Sequence, residues 1–585
     1  MTIPADYTER VYAGVLGKII GVYLGRPIEG WTYERIIDEL GETHYYVHEQ
    51  IGKPLVVPDD DISGTFTFLR ALPDYGNSPD FTPEHVGRTW LNYLVEERTV
   101  LWWGGLGCST EHTAYLRLKE GIMPPDSGSV ETNGRVVAEQ IGAQIFIDGW
   151  GLVCPGDPEQ AAEFARRAAV VSHDGEAVYG AQVVAALVAQ AFVESNMDAM
   201  LDTAVSLIPA DSTIAQVHAD VREWAVQDGD WHTTRRRVAE KYGYDKFGGG
   251  CHMVPNHAVI VMALACAGDD FSRAIMIGNT AGWDTDCNVA NIGCIMGVKV
   301  GLHGIEAGAD WRGPVADLLY LPSADAGRVV SDAVREADNV VSIGCALQDV
   351  DYRPPKHGAR YHFSYPGSVQ AFTLEDSPEC RGVATVENCS GPGQDQRSLA
   401  VRFRHLAPGR AARVGTPTFI PRPAGAFGYG LMASPTLHPG QVVTARVSMG
   451  SATDPVRCNL YVRHYDADGE LQLARGPVQK MDPGDTAELE WRVTPTGGLP
   501  IAEVGVEVRS DAGARGVLHL DRLDWSGAPD TVLGIPGRRA EPCERAWVNG
   551  ADRFRLEGSE GHYRIVQNEG LGLAIQGSRD RKSVV

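Results

Sequence analysis

The sequence predicts a multidomain protein: an all-α domain, then an antiparallel, jelly-roll-like β-sandwich, then a short β region that falls short of a domain. Three observations carry that prediction. Residues 1–350 contain Ala-, Val- and Leu-rich segments that outlast ordinary strands. Beyond Asp349 the apolar residues alternate instead, in short runs broken by Pro-Gly and Asp-Gly pairs. At 585 residues the chain also has room for roughly two to four domains.

Each element has its own signal. Gly14, Gly17, Gly21 and Gly25 recur every three or four residues, so a helix there presents one smooth face to another backbone. Asp157-Pro158 before Gln160-Ala-Ala-Glu-Phe-Ala has the cap-then-proline form of a helix start. The segments Pro158–Val170, Ala177–Val193 and His257–Ala267 read as helices, and Asn256 is expected to cap the last. Residues 351–359, with Tyr352-Arg-Pro-Pro-Lys-His-Gly358, read as a linker, since consecutive prolines stop helices.

The sandwich is expected over residues 360–527, resembling the modules appended to carbohydrate-active enzymes. Cys458, Leu460 and Val462 fall on one side of a strand and Asn459, Tyr461 and Arg463 on the other, with Asp468-Gly469 as a hairpin turn. Val504, Val506 and Val508 repeat the pattern, as do Leu518 and Leu520. Residues 528–585 contain strand-like Phe554-Arg-Leu, Tyr563-Arg-Ile-Val and Leu571-Gly-Leu-Ala-Ile575. Those are too few for the roughly eight strands of a jelly roll. The region is expected to be a truncated sandwich, or one completed by packing on its neighbour.

Composition excludes several functions. Lys plus Arg number 52 and Asp plus Glu 76, a formal charge of −24. Such a surface repels a phosphate backbone and no basic cluster reverses it, so a nucleic acid polymer is not an expected partner. No run approaches the roughly 20 apolar residues that span a bilayer. Lys18 interrupts the N-terminal apolar stretch, and Asp6 and Glu9 stand where a signal peptide would be basic. The 11 scattered cysteines lack paired spacing, which fits reduced thiols in a cytoplasm rather than a disulfide framework.

Two acidic turns exceed what folding needs. Asp59-Asp60-Asp61 precedes an apolar run beginning at Thr65. One or two carboxylates suffice to start a helix; three repel one another unless a cation neutralises them. Asp284 and Asp286 follow a glycine turn and enter a small-residue helix, where alternate aspartates can aim oxygens at one point. Together the turns predict a binuclear oxygen-ligand site. Mg²⁺ or Mn²⁺ fits it better than zinc, because no His/Cys ligand spacing accompanies it.

Four stretches also resemble a known family: Gly21-Val-Tyr-Leu-Gly25-Arg-Pro-Ile-Glu29, Asp59-Asp60-Asp61, Ser172-His173, and Gly282-Trp-Asp284-Thr-Asp286-Cys287. They are similar to the opening Gly-Asp-Ala-Leu-Gly…Glu, the Thr-Asp-Asp triplet, the Ser/Thr-His and the Gly-Gly-Asp-Thr-Asp-Thr of the ADP-ribosylglycohydrolases. The resemblance spans roughly residues 8–305. Gly128-Ser129…Asn133-Gly134 is similar to a glycine-rich ligand loop. The resemblance implies an all-α domain with two Mg²⁺ ions in a central cleft. It implies Asp59, Asp60, Asp61, Asp284 and Asp286 as ligands, Glu29 at or beside the metals, and Glu29 or Asp60 as the catalytic proton-handling carboxylate. The implied activity is a glycosidase that grips the vicinal hydroxyls of a ribose and hydrolyses its N- or O-linked bond. ADP-ribosyl conjugates are the default substrates.

Three positions depart from the family: Val22 replaces an Asp, Asp59 a Thr, and Cys287 the last Thr, where a thiol suits a hard cation poorly. They open an alternative, a nucleoside or other furanoside hydrolase on the same scaffold. A second alternative, a catalytically silent binding or structural protein, conflicts with the intact aspartates.

Around the metals, Trp102 and Trp103 before a glycine-rich turn can stack on a base or sugar, or pack in the core. Glu111 and His112 adjoin that turn and can hydrogen-bond hydroxyls. Ser129, Asn133, Gly134, His173 and His252 complete the candidate substrate-binding set. The expected partner is a small ribosyl or ADP-ribosyl substrate, free or carried on a protein or carbohydrate, with no membrane involved. In the sandwich, Tyr461 and Trp525 can stack on sugars or serve packing.

Overall fold

The structure, a computed structural model, describes residues 3–391, 396–421, 424, 433–466, 468–496, 499–529, 564–567 and 573–576. It divides into two units, Met1–Val315 with Arg335–Tyr352, and Ala316–Val334 with Arg353–Val585.

The regular elements of the first unit are helices. Those that matter for the site are α1 (Tyr7–Gly25), α2 (Asp60–Phe68), α3 (Thr110–Lys119), α4 (Pro158–Ala169), α5 (Glu176–Gln190), α6 (Met253–Ala267) and α7 (Thr285–Glu306). The glycine face of α1 lies on α7, as its spacing predicts. A Cβ at Gly17 would stand 2.0 Å from the Gly293 oxygen, one at Gly21 2.2 Å from the Val289 oxygen, and one at Gly25 2.3 Å from the Asp286 nitrogen. Backbone therefore meets backbone along the pair, which no side chain beyond hydrogen permits. Thr285 Oγ1 closes the end by donating to the Gly25 oxygen at 2.9 Å. The first turn of α7, with its aspartates, is thereby fixed against the segment that leads to Glu29.

Helix α4 starts as its sequence predicts: Asp157 accepts from the Gln160 N–H and Pro158 occupies the first turn. Helix α6 corrects an expectation. It begins at Met253, with His252 rather than Asn256 as its cap. Pro255 falls in the first turn, where a missing N–H breaks no helical bond. Asn256 is instead fully buried; its Nδ2 donates to the Tyr244 hydroxyl and its Oδ1 accepts from Asn288. Behind α1, buried Lys18 donates from Nζ to Asp148 Oδ2 at 2.7 Å and to the Ile145 oxygen at 2.9 Å. Asn291 Nδ2 also reaches Asp148 Oδ2, so the buried charges are paired and hydrogen-bonded. Among the described residues no helix is long and apolar enough to cross a membrane.

The second unit is built from antiparallel strands. They are β1 (Leu318–Tyr320), β2 (Val330–Asp332), β3 (Thr373–Leu374), β4 (Ala384–Ser390), β5 (Arg397–Leu406), β6 (Ala411–Pro417), β7 (Val442–Ala452) and β8 (Val456–Tyr465). There follow β9 (Leu471–Arg475), β10 (Gln479–Met481), β11 (Thr486–Arg492), β12 (Ile501–Arg509) and β13 (Ala514–Ser526). One sheet has the order β10-β8-β12-β6-β3, with β9 also paired to β8; the other runs β11-β7-β13-β5-β4, and neither closes into a barrel. Between them lies a core that includes Cys458, Leu460, Val462, Val504, Val506, Val508, Leu518 and Leu520. The alternation read from the sequence is thus the inward set, and Gly469 turns the β8–β9 hairpin at φ 80°.

The outward set behaves differently from a wet sheet face. Asn459 and Tyr461 are also fully buried, and Tyr461 hydrogen-bonds Glu503. Trp525 is buried, donating from Nε1 to the Thr436 oxygen with the Arg360 guanidinium over its ring. Both aromatics serve packing rather than an open stacking platform. In the C-terminal region the structure describes only an antiparallel pair, β14 (Arg564–Gln567) and β15 (Leu573–Gln576). The expected strand at Phe554-Arg-Leu lies outside the described residues.

Candidate metal centre

Two helix starts build the centre. Asp59 caps α2, accepting from the Asp61 N–H at 3.0 Å, and Asp60 and Asp61 occupy the first turn. Asp284 precedes α7 and Asp286 lies in its first turn. Both N-terminal dipoles favour negative charge, which helps hold several carboxylates together. Asp59, Asp61, Asp284 and Asp286 are buried, whereas Asp60 is half-buried and Glu29 exposed.

Ligand atoms converge in two triads that share one residue. Glu29, Asp284 and Asp286 form an all-oxygen group, and Asp61, Asp286 and Cys287 a second; within each, the ligand atoms lie within 4.8 Å of one another. Asp61 Oδ2 and Asp286 Oδ1 are buried without a hydrogen-bond partner among the described residues. Orphaned buried carboxylate oxygens are costly unless a cation or proton meets them, so the donor set fits a divalent metal. Protonation shows the same frustration. Burial, opposed by Arg26 and reinforced by Asp60 and Asp286, pushes Asp59 up to about 8. Burial likewise raises Asp61, Asp284 and Asp286.

Sequence reasoning missed a cation inside the cluster. Arg26 places Nε 3.0 Å from Asp59 Oδ2 and Nη1 3.7 Å from Asp286 Oδ2, and pairs with Glu29. The extra charge that Asp59 brings is met by this guanidinium. Its signal was an arginine three residues before a candidate ligand glutamate, on one helical face.

Trp283 was also passed over. It stands at φ 69° directly after Gly282 at φ 77°, a left-handed conformation costly for a bulky residue. Its N–H donates to the Trp31 oxygen and its oxygen accepts from the Gly30 N–H, both at 2.8 Å. That pins the loop after Glu29 to the turn before Asp284. The indole stacks on Tyr244, centroids 5.0 Å apart, and carries the Arg235 guanidinium 3.7 Å from its centroid.

The expected substrate-binding residues divide. Glu111 is buried, held by Ser109 and pushed up to about 7 by burial, with the Asp60 carboxylate adding to the rise. His173 Nε2 lies 3.7 Å from Glu111 Oε1 and accepts from the Ala143 N–H; its Nδ1 therefore carries the proton that faces Ser172 Oγ. Burial pushes His173 down to about 3, so this imidazole is neutral. His112 accepts from the Gly105 N–H at Nδ1 and contacts Glu96 at Nε2, which shapes the glycine loop.

Trp103 donates to the Thr99 oxygen and packs edge-on against His112 and Tyr115, whereas Trp102 is 51% exposed. Ser129 caps a short turn, Asn133 joins Arg117 to the Ser127 oxygen, and Gly134 turns the chain at φ 82°. Neighbouring Gly128 abuts the Ser172-His173 backbone so closely that a Cβ would stand 2.6 Å from the His173 nitrogen. His252 caps α6, stacks on Phe247, and places Nε2 3.7 Å from Glu139 Oε2. Beside it Cys251, one of the scattered cysteines and not an expected site residue, is near enough to Asp284, Glu111 and Asp60 for their charges to raise its thiol, after burial.

Among curated proteins none matches the chain significantly. A solved structure described as an "ADP-ribosylglycohydrolase-related protein complex" is 17% identical, covering 60% of this chain and 100% of that one at a TM-score of 0.40. A xylan-binding domain from Paenibacillus barcinonensis is 13% identical over 28% of this chain and 91% of its own, TM-score 0.21. A family 22 carbohydrate binding module of Clostridium thermocellum is 17% identical over 30% and 96%, TM-score 0.21. The ADP-ribosylglycohydrolase family model matches residues 3–340, more than half of the sequence. The chain therefore belongs to the ADP-ribosylglycohydrolase family, a helical glycohydrolase domain followed here by antiparallel β-sheets.

Proposed function

We propose that the protein is a divalent-metal-dependent glycohydrolase that cleaves an N- or O-linked ribosyl bond, with ADP-ribosyl conjugates as its substrate class. One observation carries the reading: carboxylates from two helix starts and the Glu29 loop converge on two triads sharing Asp286, with buried oxygens that have no hydrogen-bond partner among the described residues. Asp59, Asp60, Asp61, Asp284, Asp286 and Glu29 would hold Mg²⁺ or Mn²⁺. When bound, such ions polarise ribose oxygens and lower the pKa of an attacking water.

The protein's own groups do the rest. Asp60, the half-buried member of the triplet, can take the proton from the water that attacks the anomeric carbon, as can Glu29 beside Asp284 and Asp286. Glu111, pushed up to about 7 by burial, is poised near neutrality to hydrogen-bond or protonate a sugar or leaving-group oxygen. Trp102 offers the exposed aromatic face for a base.

The test is sugar release, followed by chromatography, from ADP-ribosyl-arginine, ADP-ribosyl-serine, nucleosides and simple furanosides, each with Mg²⁺ and with excess chelator. Chelator-sensitive release from an ADP-ribosyl conjugate is expected. Release from nucleosides or furanosides alone would replace the substrate class while keeping the metal chemistry.

A further inference from the structure

The two triads differ in what already meets their charge and in what atoms they offer. At the all-oxygen triad, Arg26 pairs with Glu29 and approaches Asp286. At the other, Asp61, Asp286 and Cys287 present two carboxylates and one sulfur, all three residues buried. The Cys287 thiol donates to Asp61 Oδ1 at 3.4 Å, while Asp61 Oδ2 and Asp286 Oδ1 have no hydrogen-bond partner among the described residues. The cationic side chain behind Asp61 is Lys18, whose ammonium is committed to Asp148 and the Ile145 oxygen.

A sulfur in this position changes which cation the triad prefers. Hard ions such as Mg²⁺ take oxygen and gain little from a thiolate, whereas borderline ions such as Zn²⁺, Co²⁺ and Fe²⁺ bind sulfur and carboxylate together. Metal–oxygen and metal–sulfur bonds of about 2.0–2.3 Å in a tetrahedral arrangement set a sulfur and an oxygen roughly 3.5 Å apart, close to the 3.4 Å between Cys287 Sγ and Asp61 Oδ1.

We propose that Asp61, Asp286 and Cys287 form a sulfur-bearing site for a borderline divalent cation, so that the centre is chemically asymmetric rather than a matched pair of Mg²⁺ sites. This rests on the metal-centre reading above. On binding, the metal–sulfur bond forms as the Cys287 S–H proton leaves to the buffer. The thiolate and the two carboxylates bring three negative charges to the ion's two, Arg26 beside Asp286 meets the remaining one, and the shared Asp286 links the ion to the all-oxygen side.

The experiment is a Co²⁺ titration of the full-length, chelator-stripped protein, reading both heat of binding and near-ultraviolet absorption. The expected result is a sulfur-to-cobalt charge-transfer band that saturates with binding, survives in Cys251→Ser and disappears in Cys287→Ser and Cys287→Thr. Cys287→Thr should also bind Co²⁺ at least about tenfold more weakly, since even an outer-shell partner is worth that much. Co²⁺ binding without the band, or a band lost in Cys251→Ser but kept in Cys287→Ser, would overturn the sulfur site and leave the metal centre standing. Absence of binding by Co²⁺, Mg²⁺ and Mn²⁺ alike would overturn the metal centre itself.

Discussion

The glycine contact between α1 and α7 makes a quantitative demand on the site. In Gly21→Ala the new Cβ would lie 2.2 Å from the Val289 oxygen, where ordinary contact begins at 3.4 Å. Relief requires the helices to part by about 1.2 Å, because the obstacle is backbone and no rotamer can yield. Overpacking of that kind costs about 1–3 kcal/mol. At about 2 °C per kcal/mol, the helical unit should melt about 2–6 °C lower. The same separation carries the first turn of α7, with Asp286, away from Asp61. Divalent-cation affinity should therefore fall about tenfold, comparable to disturbing an outer-shell support. Differential scanning calorimetry and isothermal titration with Mg²⁺ and Mn²⁺ read both effects. Gly250→Ala, where nothing lies within 4 Å, is the matched control. If Gly21→Ala melts with the control and binds cations equally well, the helix contact does not position the carboxylates.

Other consequences follow from the charges and the turn. Arg26→Ala strips a counter-charge from buried Asp59, so above about pH 8, where that carboxylate is ionised, the chelated protein should lose on the order of 3 kcal/mol. Added Mg²⁺ should restore more of its melting temperature than in wild type. Because Asp59 rises from 3.8 unfolded to about 8 folded, the folded chelated protein keeps a proton the unfolded chain has released. Its contribution to stability is full below about pH 4 and lost as pH rises through about 8; melts across that window should fall with chelator and flatten with saturating Mg²⁺. Trp283→Gly and Trp283→Ala both lose the stack on Tyr244 and Arg235, but only alanine keeps the left-handed strain. The alanine variant should be less stable by about 1 kcal/mol in denaturant titrations.

Much of this architecture is legible from residue spacing. The glycine face of α1, the Asp157-Pro158 start and the alternation of Cys458, Leu460 and Val462 each follow from local periodicity, and periodicity survives folding. What sequence could not convey depends on long-range placement. Asn256 reads as a cap because it stands directly before the apolar run from His257; the helix starts a turn earlier and buries that amide against Tyr244 and Asn288. Asn459 and Tyr461 read as outward-facing, yet both are fully buried. Both acidic turns could be read as metal ligands, but their meeting at Asp286, with Arg26 between them, arises only when α1 and α7 close together.

The shared carboxylate gives the most direct test of a metal-dependent glycohydrolase. Asp286→Asn keeps the side-chain shape while removing the charge common to both triads. Cation binding and ADP-ribose release should be measured on the same wild-type and variant preparations. The expected result is chelator-sensitive release by wild type, with both binding and release abolished in Asp286→Asn at a near-unchanged melting temperature. Full release by Asp286→Asn, or wild-type release indifferent to chelator, would contradict the metal centre as the seat of the chemistry.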